Sequence, residues 1–243
     1  RGRGLVCYAS KAFCCKEMCR IVKEEGMGID VVSGGELYTA MQVEFPPEKI
    51  QFHGNNKTEA EIKMALDYNV GHFVVDNISE LDMIDRLAAE AGKTAQVSLR
   101  IKPGIDAHTH QFIMTGQIDS KFGFALETGE ALEAVKAASQ YEHIHLRGLH
   151  NHIGSQIFDV EPFVKAAEVM LEFMAQIKTE CGIVLEDLNL GGGFGIKYVD
   201  SDRPVPYGDY MKEISAAVFK KCEELSMEVP YIYMEPGRSI VGE

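Results

Sequence analysis

The chain has 243 residues, of which 46% are hydrophobic and 25% are charged, a balance typical of a soluble globular protein. With 24 basic and 37 acidic residues its net charge is −13, which argues against a nucleic-acid or acidic-membrane surface as its partner. No apolar run approaches the roughly 20 residues that a membrane-spanning helix requires. The six cysteines form no C-x-x-C pair, so small buried thiols in a reducing cytoplasm are expected. A metal or redox role for Cys15 and Cys19, four residues apart, is the less favoured alternative.

Short apolar runs rich in β-branched residues alternate with amphipathic stretches along the chain. The predicted strands are 5–12, 29–33, 50–53, 72–75, 96–101, 144–152, 187–190 and 231–234. The predicted helices between them are 16–25, 35–43, 59–68, 79–91, 129–139, 162–179 and 210–225. Ser79 is the expected N-cap of the fourth helix.

Eight strands that alternate with seven helices predict a parallel sheet, and eight such units in about 250 residues have the size of a (β/α)8 barrel. A doubly wound open sheet is the alternative, because strands buried on both faces give the same pattern. No break in composition divides the chain, so residues 1–243 are predicted to form one domain, and its first and last residues suggest truncation at both ends. The longest irregular segment, 102–121, follows the fifth strand, where a barrel has its catalytic end.

Polar and glycine residues cluster directly after the predicted strands, and a barrel would bring them to one mouth. They are Lys11, Asp30, Ser33, Gly34, Gly35, Glu36, His53, Asn55, Asn56, Arg100, His150, His152, Gly154, Ser155 and the segments 191–195 and 235–238. Lys11 ends an apolar strand, where a desolvated amine of lowered pKa would suit a Schiff base. From this residue alone, a lysine that reaches solvent from the strand end is the favoured interpretation.

The segment L-G-G-G-F-G at 190–195 exposes successive backbone N–H groups and favours a phosphate site over a plain tight turn. It is neither a G-x-G-x-x-G fingerprint nor a Walker loop. His150 and His152 share a strand face, but no third metal ligand is apparent, so a structural or substrate-facing role is favoured. Asp30 and Glu235 end different strands, as a general acid and base would, or one of them could bond a protonated ring nitrogen. A Schiff-base lysine, a phosphate site and a ring acid together suggest pyridoxal 5′-phosphate.

Eight segments in chain order resemble the barrel domain of the alanine-racemase-like (type III) pyridoxal-phosphate decarboxylases. They are Y-A-S-K-A (8–12), G-I-D-V-V-S-G-G-E (28–36), F-H-G-N-N-K-T (52–58), R-I-K-P-G (100–104), S-K-F-G-F (120–124), G-L-H-N-H-I-G-S-Q (148–156), L-G-G-G-F-G (190–195) and E-P-G-R (235–238). Three of them are most similar to the branch that acts on diaminopimelate, rather than to the ornithine or arginine branches. The resemblance covers essentially the whole chain.

The resemblance implies a role for each matched residue. Lys11 would hold the cofactor covalently, Glu235 would bond its ring nitrogen, and His152 would stack on the ring. The phosphate would be bound by Ser155, Gly191, Gly192, Gly193, Gly237 and Arg238. Arg238 would also contact the substrate, and Asp30, His53 and Arg100 would lie near the cofactor. No metal is expected.

The resemblance further implies decarboxylation of meso-2,6-diaminopimelate to L-lysine and CO2 by a cytoplasmic homodimer. Family members carry a second, mostly β domain after the barrel, and that domain is missing from this sequence. A decarboxylase of another basic amino acid and a catalytically silent homologue that binds pyridoxal phosphate are the alternatives. Lys11, His152, Glu235 and Arg238 are all present, which argues against the silent homologue.

Overall fold

A computed structural model describes residues 3–105 and 121–242 as a barrel of parallel strands surrounded by helices. The strands are β1 (Gly4–Ala9), β2 (Gly28–Val31), β3 (Ile50–Phe52), β4 (His72–Val75), β5 (Ala95–Lys102), β6 (Phe124–Ala125), β7 (Ile144–Asn151), β8 (Asp187–Asn189) and β9 (Tyr231–Met234). The helices are α1 (Lys16–Glu24), α2 (Gly34–Met41), α3 (Glu59–Tyr68), α4 (Ile78–Glu90), α5 (Glu130–Ala138), α6 (Glu161–Cys181), α7 (Tyr207–Glu224) and α8 (Arg238–Val241). No helix among the described residues is long and apolar enough to span a membrane.

The sheet closes on itself. All pairings are parallel, and they run from β1 through β2, β3, β4, β5, β7, β8 and β9 back to β1. The predicted (β/α)8 barrel is therefore confirmed, and the open-sheet alternative is wrong. The additional strand, β6, has only two residues and pairs with the end of β5. It therefore extends the edge of the sheet at β5 and is not one of the eight strands that close the barrel. A run this short leaves no periodic pattern, which is why the sequence did not predict it.

Three local predictions need correction or fall outside the described residues. β1 ends at Ala9, three residues before its predicted end, and Ser10–Ala12 form a 3-10 turn. Helix α4 begins at Ile78, and its cap is Asn77 and not Ser79, because Asn77 Oδ1 accepts the N–H of Glu80 at 2.9 Å. In the predicted catalytic-end segment 102–121, residues 106–120 lie outside the described residues.

Polar side chains meet across the interior of the barrel. His72 Nε2 of β4 lies 3.0 Å from Asp187 Oδ2 of β8 near the amino ends of the strands. Further along, Asn189 Nδ2 of β8 donates to Gln51 Oε1 of β3 at 2.7 Å. β3 does not pair with β8, so this contact crosses the barrel. Branched apolar residues usually fill such interiors, whereas here hydrogen bonds join opposite walls.

Aromatic packing anchors the glycine-rich segment that follows β8. The ring of Phe194 stacks on Phe163 of α6 with centroids 4.9 Å apart, and it meets Tyr210 of α7 edge-on at 5.0 Å. The hydroxyl of Tyr210 donates to the carbonyl of Ile157 at 2.8 Å. The segment is thereby tied to the two longest helices, which fixes the position of its backbone at the mouth of the barrel.

The N-cap of α4 gives a test of this local geometry. Asn77→Ala should lower the free energy of unfolding by about 1 kcal/mol, because the N–H of Glu80 loses its acceptor. Ser79→Ala is the matched control and should change it by less than about 0.5 kcal/mol, since Ser79 is exposed and has no capping role. Urea denaturation of both variants measures the difference. A larger decrease in the free energy of unfolding for Ser79→Ala than for Asn77→Ala would show that Ser79 is the N-cap, as the sequence predicted.

Candidate active site

A cavity of about 1190 Å³ opens at the carboxyl ends of the barrel strands. The structure brings most of the predicted site residues to its wall. These are Lys11, Asp30, His53, Arg100, His152, Ser155, Gly193, Glu235, Gly237 and Arg238. Gly191 and Gly192 do not line the cavity.

Lys11 lies exposed on the cavity wall, in the 3-10 turn after β1. The prediction that Lys11 ends the first strand is therefore corrected, because β1 ends at Ala9, two residues earlier. The exposure of Lys11 agrees with the favoured interpretation of a lysine that reaches solvent. The neighbouring Ser10 fixes this turn: its Oγ lies 2.7 Å from the carbonyl oxygen of Asp30 and 3.0 Å from Glu36 Oε2, two acceptors that share its single O–H donor. The amine is thus presented to the cavity by a turn that is bonded to β2 and α2.

Glu235 follows β9 and is the best-supported carboxylate of the cavity. His150 Nε2 donates to its Oε2 at 3.0 Å, and His53 Nε2 lies 2.9 Å from its Oε1. Asn189 Nδ2 also donates to Oε1. Asp30 lies further off, with its Oδ1 3.9 Å from His53 Nε2. Three nitrogen atoms from three other parts of the barrel therefore surround one buried carboxylate.

These surroundings shift the pKa values of Glu235 and Asp30 in opposite directions. Burial is the largest influence on Glu235 and opposes its ionisation, but His53 and His150 outweigh it and hold its pKa well below the ordinary value. Burial, and then the charge of Glu235, raise the pKa of Asp30 well above its ordinary value, with Lys11 opposing. Asp30 Oδ1 also lacks a hydrogen-bond partner within the described residues. Glu235 is therefore the ionised acid, and Asp30 keeps its proton to higher pH.

His150, on β7, and His152, which follows the strand, have separate environments. Burial lowers the pKa of His150 to about 4, with Glu235 opposing this. Burial, and then the charges of Lys11 and Arg100, lower the pKa of His152 to about 3. Both imidazoles are neutral at neutral pH. A neutral His150 that donates to Glu235 must carry its proton on Nε2.

The sequence showed no third ligand for the pair His150 and His152, and the cluster of ligand-type side chains found among the described residues includes His150 but not His152. His53, His150 and Glu235 have ligand atoms within 4.8 Å of one another, a spacing that a metal ion would also require. In the structure these atoms surround the carboxylate, as its hydrogen-bond and ion-pair partners. His152 belongs to neither arrangement, and its Nδ1 lies 3.4 Å from the N–H of Gly192.

Only part of the glycine-rich segment faces the cavity. The N–H of Gly191 donates to Asn189 Oδ1 at 2.9 Å, and the carbonyl of Gly191 accepts the N–H of Glu235 at 2.7 Å. Gly191 has φ of +69°, and a Cβ there would lie 2.4 Å from the carbonyl oxygen of Asn151, so glycine is required. Gly193 lines the cavity, and within residues 3–105 and 121–242 its N–H has no acceptor.

Cationic and hydroxyl groups adjoin Gly193. Arg238 Nη2 lies 3.4 Å from Ser155 Oγ, and its Nη1 donates to the hydroxyl of Tyr198. Arg100 and Phe122 line the same cavity, and the guanidinium of Arg100 lies 4.3 Å from the centroid of the Phe122 ring. Burial lowers the pKa of Arg100, but a guanidinium remains charged at neutral pH. An anion in this part of the cavity would meet N–H, O–H and guanidinium donors together.

Sequence reasoning missed three residues that shape the site. Ser10 bonds the turn of Lys11, and Asn189 and Gln51 join Glu235 to the opposite wall. The available signal for Gln51 and Asn189 was an amide side chain inside a short buried strand, where an unpaired polar group is costly. His150 was considered as a metal ligand and not as the partner of Glu235.

The cavity has the groups that pyridoxal phosphate requires. Lys11 supplies an exposed amine, and Glu235 supplies an ionised buried acid for a protonated ring nitrogen. The free N–H of Gly193, with Ser155 and Arg238, supplies donors for a phosphate. These residues fit the cofactor, and they lie around one space.

The raised pKa of Asp30 predicts a pH-dependent effect on stability. The folded state binds this proton more tightly than the unfolded chain, so the free energy of unfolding falls as pH rises above the unfolded value of about 3.9. Asp30→Asn should therefore be more stable than the wild type at neutral pH, and the difference should vanish toward pH 3. Asp202, whose pKa is lowered by the N–H groups of Tyr198 and Val199, is the control of opposite sign.

Asp202→Asn should lose stability at neutral pH and approach the wild type as pH falls. Thermal unfolding of the three proteins between pH 3 and pH 8 measures both effects. A stability difference for Asp30→Asn that grows toward low pH would contradict the assignment of its proton.

Residues 2–242 match the family model described as pyridoxal-dependent decarboxylase, pyridoxal binding domain. Diaminopimelate decarboxylase of Halalkalibacterium halodurans is 51% identical over 98% of this chain and 54% of its own length. The corresponding protein of Bacillus subtilis is 48% identical over 98% of this chain and 54% of its own length. The chain thus spans about half the length of the curated relatives it matches.

Solved structures agree with this relationship. The crystal structure of diaminopimelate decarboxylase from M. jannaschii in complex with L-lysine has a TM-score of 0.91 at 41% identity, covering 98% of this chain and 54% of that chain. The Helicobacter pylori protein in complex with L-lysine has a TM-score of 0.86 at 34% identity, covering 99% and 58%. The resemblance found in the sequence is confirmed: this chain belongs to the pyridoxal-dependent decarboxylases and corresponds to their pyridoxal-binding domain.

Proposed function

We propose that the protein catalyses the pyridoxal-phosphate-dependent decarboxylation of meso-2,6-diaminopimelate to L-lysine and CO2. The observation that carries the proposal is the pairing, around one cavity, of the exposed amine of Lys11 with the buried, ionised carboxylate of Glu235. Identity of about 50% to diaminopimelate decarboxylases supports this substrate over other basic amino acids. The related structures that contain L-lysine support an amino-acid ligand of this kind.

Each residue of the cavity has a defined task in this proposal. The bound cofactor supplies an electron sink for the electron pair left on the substrate's α-carbon when CO2 departs. Lys11 Nζ holds the cofactor, and Glu235 keeps a proton on its ring nitrogen because its own pKa is so low. His152, whose lowered pKa keeps it neutral at neutral pH, would pack against the cofactor ring without adding a competing charge.

The remaining residues bind and orient. Gly193, Ser155, Gly237 and Arg238, which line the cavity, would bind the phosphate, while Gly191 and Gly192 shape the backbone behind Gly193. Close packing fixes Gly237, since a Cβ there would lie 3.0 Å from the Cβ of Ala9. Asp30, His53 and Arg100 line the same cavity as Glu235, and Arg238 is the candidate contact for the substrate.

The wider setting is part of the same proposal. In this proposal residues 1–243 act as the barrel domain of a longer chain, and a second, mostly β domain and a homodimer complete the active site. The greater length of the relatives supports the presence of a further domain. A cytoplasmic location is supported by six cysteines that are all free thiols.

The deciding experiment is an assay of the complete protein with pyridoxal phosphate. Production of L-lysine and CO2 from meso-2,6-diaminopimelate, with much slower turnover of L-ornithine, L-arginine and L-lysine, is the expected result. Faster turnover of one of those three amino acids would show that the proposed substrate is wrong but that the reaction is still a decarboxylation. Cofactor binding without any CO2 release would favour a silent homologue.

Lys11→Ala should abolish covalent attachment of the cofactor and reduce turnover to background, because the turn at 10–12 presents no other amine. Borohydride reduction followed by peptide mass spectrometry should find the cofactor on Lys11 in the wild type only. Lys16→Ala, an exposed lysine five residues away at the start of α1, is the matched control and should behave as the wild type. Turnover of Lys11→Ala near the wild-type rate would refute the assignment.

Glu235→Gln should retain cofactor binding but lower kcat by about 100-fold, the order expected when a preorganised charge is removed from an active site. A neutral amide no longer favours a protonated ring nitrogen, whereas phosphate and lysine contacts are unchanged. Steady-state kinetics and a cofactor-binding titration separate the two effects. An unchanged kcat would show that the ring proton does not depend on Glu235.

A further inference from the structure

Asn189, the last residue of β8, uses both ends of its side chain. It is 2% exposed, and its Nδ2 donates to Gln51 Oε1 at 2.7 Å and to Glu235 Oε1. Its Oδ1 accepts the N–H of Gly191 at 2.9 Å. Both amide protons and the carbonyl oxygen are therefore bonded, in a place where an unbonded polar group would be costly.

The amide can take only one orientation. If its oxygen and nitrogen were exchanged, its oxygen would face the oxygens of Gln51 and Glu235, and its NH2 would face the N–H of Gly191. Glu235, which only accepts, and the N–H of Gly191, which only donates, therefore set the direction of the Asn189 amide, and Gln51, 3% exposed on the opposite wall, accepts its second proton. The orientation of this amide fixes a donor beside Glu235 and an acceptor beside Gly191.

The two ends of Asn189 act on two different parts of the site. The Nδ2 end supports the negative charge of Glu235, together with His53 and His150. Asn189 Oδ1 accepts the N–H of Gly191 and so fixes the start of the glycine-rich segment. The segment then continues to Gly193, which lines the cavity and whose N–H has no acceptor in the described part of the chain.

We propose that Asn189 is a positioning residue that joins the ring-nitrogen acid to the phosphate-binding backbone, so that one side chain sets both the charge of Glu235 and the placement of Gly193. This inference rests on the proposed function, because it assigns Glu235 and Gly193 to the cofactor. Asn189 itself does not line the cavity and acts through these neighbours.

Two substitutions separate this role from simple packing. Asn189→Leu keeps the branching and the number of side-chain heavy atoms but removes all three hydrogen bonds. Asn189→Asp keeps the acceptor for Gly191 and places a carboxyl group against Glu235, so the pair shares a proton at low pH and carries two charges at high pH. Asn151→Leu is the matched control: Asn151 is a fully buried asparagine at the end of β7, and its side-chain atoms have no hydrogen-bond partner among the described residues.

The measurements are made on the complete protein with pyridoxal phosphate labelled with ¹⁵N at the ring nitrogen. The ¹⁵N resonance reports ring protonation between pH 6 and pH 9, and equilibrium titrations compare the affinity for pyridoxal phosphate with that for pyridoxal. Circular dichroism establishes that each variant is folded.

We expect Asn189→Leu to lower the apparent pKa of the ring nitrogen by about one unit and the pyridoxal-phosphate affinity by about tenfold, as loss of bonds to a charged group implies. Its preference for pyridoxal phosphate over pyridoxal should also fall. Asn189→Asp should keep that preference but make the ring resonance pH-dependent, with wild-type behaviour restored at low pH. Asn151→Leu should match the wild type within about twofold, as expected for a residue that bonds to neither part.

Equal behaviour of Asn189→Leu and Asn151→Leu would overturn the inference while leaving the proposed function intact, provided that the wild type binds the cofactor with a protonated ring. A wild type that binds no pyridoxal phosphate would overturn both. If Asn189→Leu does not fold, Asn189→Asp decides alone: a ring resonance with the pH profile of the wild type would refute the role of Asn189.

Discussion

The arrangement at the mouth of the barrel depends on keeping one carboxylate ionised away from water. Burial of Glu235 by itself would favour its protonated form, and a neutral acid could not stabilise a cation. The barrel counters this with hydrogen-bond donors from His150 of β7 and Asn189 of β8, and with His53, the residue after β3, whose Nε2 lies within ion-pair distance. Each of these donors is itself buried and held by the strand that carries it. The closed sheet is therefore the means by which groups distant in sequence converge on one charge.

The same carboxylate organises the other acid of the cavity. The protonated form of Asp30 is favoured by burial and, in addition, by the negative charge of the nearby Glu235. One cavity thus contains a carboxylate and a carboxyl group that favours its proton, from two side chains of nearly equal intrinsic acidity. Lys11, exposed at the wall of the same cavity, opposes this rise in the pKa of Asp30. The difference between the two acids comes from their positions in the barrel and not from residue type.

The sequence predicted the barrel well, because eight strand patterns and seven helix patterns alternate without interruption, and most boundaries lie within about two residues. It also placed most site residues at one mouth, since residues after parallel strands must meet there. It could not predict that Lys11 follows its strand, because the break depends on Ser10 bonding to Asp30 and Glu36. Nor could it predict that Gly193 faces the cavity while Gly191 lies behind it, because a run of glycines has no pattern that assigns them different partners. The links from Gln51 to Asn189 and Glu235 span up to 184 residues and follow only from closure of the sheet.

The hydrogen bonds across the barrel interior have an evolutionary consequence. Gln51, Asn189 and Glu235 form a chain in which each donor faces an acceptor, and His53 and His150 attach to its end. Replacing one member leaves its neighbour with an unmatched lone pair or proton, so the effects of substitutions at these positions will not be additive. Divergence here requires paired replacements, and the first replacement of each pair passes through a less stable intermediate sequence. These positions should therefore co-vary among relatives, whereas the apolar positions outside the barrel wall can change one at a time.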